Sequence, residues 1–168
     1  MANESICSTC GKTHTVDDLE LVFHRPEPID QIPEIDRPEK VKQSDDLASI
    51  GYDRFFVRCV LPLPVEGRAN PYSLGVWAEV TEQDFFKIID LWNEPEQAQE
   101  PAFDATLQNR IPHLQETCGL HVLLQLTGPK TRPRLTVPPS EHELHAQQCR
   151  GITPHMANEY TLGNRAQV

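Results

Sequence analysis

Cations are scarce in this chain: Lys and Arg total 15 against 25 Asp and Glu, a formal net charge of -10 over 168 residues. Binding to a phosphate backbone needs clustered Lys and Arg that displace counterions, so this balance argues against nucleic acid and for a basic protein surface as partner. Long apolar runs are also missing. No stretch approaches the roughly 20 residues of a membrane helix, and the opening MANESICSTCGK has no basic region followed by an apolar stretch. A cytoplasmic protein with no membrane association is therefore expected. Glycine is thin, 8 residues against 15 prolines, which favours stiff connections over flexible linkers. The 5 cysteines are odd in number and follow no framework spacing, and a reducing compartment would keep them as thiols or metal thiolates.

Catalytic signatures are absent as well. The chain holds no G-x-S-x-G, no H-E-x-x-H, no phosphate-cradling glycine loop and no dinucleotide fingerprint. Nucleophilic catalysis needs a Ser or Cys within reach of a His that a third group orients, and His113, His121 and Cys118 read more simply as surface and strand residues. No catalytic residue is assigned.

What the sequence does hold is a readable order of elements within one domain spanning 1–168. Residues 1–16 carry Cys7, Cys10 and His14 around Gly11 as a loop or knuckle. Residues 17–45 form a Pro-rich acidic segment, expected to lie extended over the surface with Ile29, Ile32 and Ile35 among the residues pinning it down. The α+β core covers 46–162, and 163–168 fray. Alternation predicts strands at 47–50, 54–65 and 72–80, the last two as a hairpin. Thr81 predicts a helix start at Glu82, with Phe85, Ile88, Ile89 and Trp92 on one stripe. A short helix is expected within 103–114, a second hairpin from 120–126 and 132–137, a capping-box helix after Ser140 running to Arg150, and a last helix capped by Thr153. Paired strands with helices between the pairs predict an antiparallel sheet built from hairpins, with helices packed on one face, plus the N-terminal Cys/His knuckle.

Two constellations could carry chemistry. Cys7 and Cys10, three positions apart on a glycine-bearing turn with His14 beyond, form half a zinc site. No second C-x-x-C follows, so a completing ligand must come from far along the chain, and His142 is the first choice, with His145 and Cys149 as alternatives at helical spacing. The second constellation is Asp45 and Asp46 with Arg58 on an apolar strand. An arginine there needs a carboxylate, so a buried ion pair of Arg58 with Asp45 or Asp46 is expected ahead of a ligand-binding arginine.

Taken together, Cys7-x-x-Cys10-Gly11 with His14, Ser44-Asp45, Phe55-Phe56-Val57-Arg58, Gly75-Val76-Trp77, Arg132-Pro133 and His142 with Leu144 ahead of Gly151-Ile152 resemble a bacterial family catalogued only as a domain of unknown function. The resemblance runs over nearly the whole chain and implies no activity. It picks out Cys7, Cys10, His14, Asp45, Arg58, Trp77 and His142 as shared positions. This chain departs from the pattern at Ala48, where a cysteine is usual, and at Glu143, where a proline is usual.

The functional expectation is a non-catalytic cytoplasmic binding protein engaging another, basic, protein; an immunity protein that neutralises a bacterial toxin is its narrowest form. The alternative is a zinc-dependent enzyme in which Cys7, Cys10 and a histidine hold an ion that keeps an exchangeable water.

Overall fold

The computed structural model describes residues 3–6, 13–16 and 21–165, with backbone alone for 3–6, 13–16 and 164–165. The described chain opens with an antiparallel hairpin of β1 (Asn3–Ile6) and β2 (Thr13–Val16). The Pro-rich segment that follows is broken into single turns, because each proline removes a helical donor and biases the residue before it away from helix. These turns are α1 (Glu27–Asp30), a 3-10 turn at Glu34–Asp36 and α2 (Arg37–Lys40). Leu21 and Ile29 anchor the segment in the interior, whereas Ile35, expected to do so, is 86% exposed.

Seven strands then form one sheet: β3 (Val41–Gln43), β4 (Leu47–Ile50), β5 (Arg54–Leu63), β6 (Tyr72–Val80), β7 (Phe103–Leu107), β8 (His121–Gln125) and β9 (Arg134–Thr136). Neighbours in sequence pair antiparallel from β3 to β9. The predicted hairpin is present as β5 and β6, in register from Phe55 opposite Val80 to Leu63 opposite Tyr72.

The sheet does not stay open, and this corrects the expected antiparallel sheet with helices on one face. Val60 of β5 pairs with Arg134 of β9 in parallel, and the Val60 amide donates to Pro133 O at 2.8 Å. Strands β5 to β9 therefore close into a five-stranded mixed barrel, with β3 and β4 as an added ribbon. Five strands running alternately up and down leave the first and last pointing the same way, so the closing pair is necessarily parallel. Closure also pairs the outer edge of β9, which an open sheet would leave bare, so that β3 alone ends the sheet. β5 is long enough to serve two neighbours on one edge, β4 along 54–57 and β9 at Val60.

Alternation sorts β5 into two faces. Phe55, Val57, Cys59, Leu61 and Leu63 point into the barrel core with Leu74, Val76, Leu124 and Leu135, and burial of this set supplies the main stabilisation. Phe56 and Trp77 point outward but are still buried, in a second cluster with Ile29 and Ala48 beneath the N-terminal segment. That segment runs alongside β6: the Phe23 amide donates to Gly75 O and the Gly75 amide to Leu21 O. A Cβ at Gly75 would lie 3.2 Å from Val22 Cγ1, so any larger residue would make the Val22 side chain give way by a few tenths of an ångström.

Helices are few: α3 (Glu82–Leu91), α4 (Glu143–Arg150) and α5 (Pro154–Arg165). Thr81 caps α3 as predicted, its hydroxyl accepting from the Asp84 amide at 3.1 Å, and Thr153 likewise accepts from the Met156 amide at 3.2 Å. Two local expectations fail. The short helix expected within 103–114 is instead β7, and α4 is capped by His142 rather than Ser140. The expected knuckle is corrected too: residues 13–16, including His14, are strand backbone paired with β1, and among the described residues no three His, Cys, Asp or Glu side chains gather around a point that could hold an ion. Cys7 and Cys10 lie outside the described residues.

Candidate functional site

Of the residues singled out as metal ligands, His14, His142, His145 and Cys149 fall within the described residues. His14 stands opposite Ser5 in the β1 and β2 hairpin, and β2 lies against α5. His142 has both ring nitrogens engaged by main chain: Nδ1 accepts from the Leu144 amide at 3.0 Å, which leaves Nε2 as the donor to Glu116 O at 3.1 Å. Its imidazole ties the start of α4 to the loop before β8, which is a structural task. His145, one turn on, sends Nδ1 to Val137 O at 3.0 Å and lies beside Cys149, whose Sγ is 3.7 Å from Nε2 and 3.8 Å from Nδ1.

Arg58 and the two aspartates are adjacent, but in a different arrangement from a carboxylate pair. The Arg58 amide donates to Asp46 O at 2.8 Å, and its Nη1 donates to the main-chain O of Asp45 at 3.3 Å. The Asp46 carboxylate instead accepts from Arg132 Nε at 2.8 Å. Arg58 Nε is buried without a hydrogen-bond partner. Burial, and then the neighbouring Arg132 charge, lowers the Arg58 pKa from its ordinary value, with Asp46 and Asp45 opposing the shift. The place where β5 exchanges β4 for β9 thus gathers two arginines and two aspartates, with the Asp46 carboxylate committed to Arg132.

Two adjoining clefts open on this outer face, of about 710 and 760 Å³, within the usual range of ligand sites. They share Pro62, Pro71 and Arg134 as a common wall. The first, which Trp92 also lines, holds Lys130 and Arg132 together with Asp46, the single carboxylate in its lining. The second holds Arg68, His145 and Cys149 over a floor that includes Pro64, Val65 and Pro138, and no carboxylate lines it. Four of the chain's 15 Lys and Arg therefore face a groove in a molecule of net charge -10. Prolines make a stiff floor with no amide hydrogen to satisfy, so the groove is preformed, and its polar lining combines the cations with Thr127, Thr131, Thr136 and Gln148.

The remaining described cysteines differ from Cys149. Cys59 is sealed inside the barrel, and burial pushes its thiol well above the ordinary value. Cys118 is half-buried, donates to Gln108 Oε1 at 3.5 Å, and has its thiol pushed up by burial and then by Glu116. Cys149 is exposed.

Sequence reasoning missed the groove because its cations lie far apart in the chain and an acidic total masks them. The available signal was Arg132-Pro133-Arg134, where alternation on a strand sets two arginines on one face.

Among the described residues no helix is long and apolar enough to cross a membrane. No curated protein and no solved structure matches this chain. A family model does match, over residues 6–152, and the chain belongs to the family described as "Uncharacterized protein conserved in bacteria (DUF2199)".

Proposed function

We propose that this is a non-catalytic binding protein of the cytoplasm whose groove across β5 and β9 receives an extended acidic segment of a partner protein. The observation that carries the reading is the charge inversion: Arg68, Lys130, Arg132 and Arg134 line a proline-walled groove in which Asp46 is the one carboxylate, on a molecule of net charge -10. Complementary charge fixes orientation and speeds encounter. The expectation of a basic partner, toxin-neutralising immunity included, rested on the total charge, whereas the built groove has the opposite sign. A long nucleic-acid polyanion would meet repulsion from the acidic surface beyond the groove, while a short acidic segment would not.

The test is fluorescence anisotropy with a labelled Glu-Pro repeat peptide, its Gln-Pro counterpart and a single-stranded oligonucleotide of equal charge. The acidic peptide should bind with strong salt dependence, the Gln peptide should not, and Arg132→Glu with Arg134→Glu should weaken binding at least about tenfold. Equal or tighter binding of the oligonucleotide, or peptide binding indifferent to both arginines, overturns the reading.

A further inference from the structure

The second cleft carries a feature that acidic-segment binding does not use. Cys149 is exposed on the last turn of α4, one helical turn from His145, and both side chains line the cleft with Arg68 and Arg134. Val137 O holds the hydrogen of His145 on Nδ1, since a carbonyl can only accept, and so leaves the Nε2 lone pair free at 3.7 Å from Cys149 Sγ. Sγ is nearly equidistant from both ring nitrogens, and the exposed position of Cys149 leaves its side chain room to rotate towards Nε2. A thiol, a base and a third group orienting the base are the parts of an activated nucleophile.

We propose that Cys149 undergoes thiol–disulfide exchange with an anionic low-molecular-weight disulfide whose carboxylates are held by Arg68 and Arg134. The Cys149 proton passes to His145 Nε2, and Sγ attacks one sulfur of the disulfide. A new bond forms between Cys149 and that half of the reagent, the original S–S bond breaks, and the other half leaves as a thiolate that takes the proton back from His145. Cys149 is oxidised to the disulfide level, half of the reagent is reduced to thiol, and no further oxidant is needed. Cys59 cannot compete, because it is sealed in the core, and Cys118 is half-buried on Gln108. An anionic reagent is favoured because no carboxylate lines this cleft. That preference rests on the groove reading above; the reactivity of the thiol does not.

The reduced full-length protein is treated with oxidised glutathione or with neutral bis(2-hydroxyethyl) disulfide, quenched by alkylation and mapped by peptide mass. Cys149 should carry the adduct, and glutathione disulfide should react about tenfold faster than the neutral reagent at low salt. Arg68→Ala with Arg134→Ala should erase that preference, and His145→Gln should slow both reagents by about tenfold or more. Equal wild-type rates for the two reagents, or modification of Cys149 no faster than in the unfolded chain, overturns the proposal. Acidic-peptide binding by Cys149→Ser, measured in parallel, separates the two readings: retained binding beside an unreactive Cys149 sinks the exchange alone.

Discussion

Arg132 donates its Nε hydrogen to Asp46 Oδ1 at 2.8 Å, and the pair spans the point where β5 gives up β4 as its neighbour and takes β9. Asp46 immediately precedes β4, and Arg132 lies two residues before β9. The ion pair therefore stitches the added ribbon to the strand that closes the barrel. Its side chains are 43% and 35% exposed, so its contribution to stability is about 0 to 1 kcal/mol. Its larger effect is on the charge of the cleft.

Replacing Asp46 with Asn keeps a hydrogen-bond acceptor for Arg132 and removes the one carboxylate from the first cleft. The denaturation midpoint should shift by less than about 1 kcal/mol equivalent, while affinity for an acidic peptide rises about three- to tenfold. Urea unfolding and peptide anisotropy measure the two effects separately. Unchanged affinity would mean that the peptide does not use this cleft.

Asn109 is 1% exposed and joins three segments. Its Oδ1 accepts from the Trp77 amide at 2.7 Å, its Nδ2 donates to Arg25 O at 2.9 Å, and its own carbonyl accepts from Thr117 Oγ1 at 2.6 Å. The side chain holds the N-terminal segment over the outward face of β6, where Trp77 is buried. Asn109→Ala strands a buried amide and a buried carbonyl, and should cost about 2 to 4 kcal/mol. A loss below about 1 kcal/mol in urea unfolding, with the denaturant slope unchanged, would show that water replaces the amide without penalty.

Where side chains alternate or cap locally, the fold was legible. Phe55 to Leu63 against Tyr72 to Val80 gave the central hairpin, and Thr81 and Thr153 marked two helix starts. β7 was not, because Phe103, Ala105 and Leu107 alternate over only five residues and run into the apolar Ile111. Barrel closure left no local trace, since Val60 and Arg134 are distant in sequence and meet through a single register pair. Pro62 and Pro64 weaken the far end of β5 as a strand, and there Ile152 takes over: its amide donates to Pro64 O, and the Glu66 amide donates to Ile152 O.

The same physics separates the sites. His142 looked like a ligand because imidazole binds metals, yet at the first turn of a helix its ring nitrogen is as well placed as a serine hydroxyl to receive an orphan amide. Arg58 was legible as an arginine needing a partner, but the partner was taken by Arg132, which nothing near Arg58 in sequence reveals. The groove emerges only when the barrel brings Arg68, Lys130, Arg132 and Arg134 to one face.

Tyr160 sets the behaviour in alkali. Its ring is fully buried in the core, tilted against Tyr72 at 6.2 Å between centroids, with the hydroxyl donating to Gln147 Oε1 at 2.7 Å. Burial, opposed by the Gln147 hydrogen bond and reinforced by Glu143 and Tyr72, pushes the phenol up to about 12 from an ordinary value near 10. The raised value means that the folded chain keeps this proton in a window where the unfolded chain has released it. The unfolded state then binds fewer protons, so the contribution is fully present below about pH 10 and is lost as pH rises towards about 12. Two units of difference correspond to roughly 3 kcal/mol. Tyr160→Phe removes the titrating group and, by leaving Gln147 without its donor, should cost about 1 kcal/mol at neutral pH. The gap between the two proteins in urea unfolding should therefore narrow, then vanish or reverse, as pH climbs through that window. A gap that stays constant would place the Tyr160 phenol in contact with solvent and remove it as the source of alkaline instability.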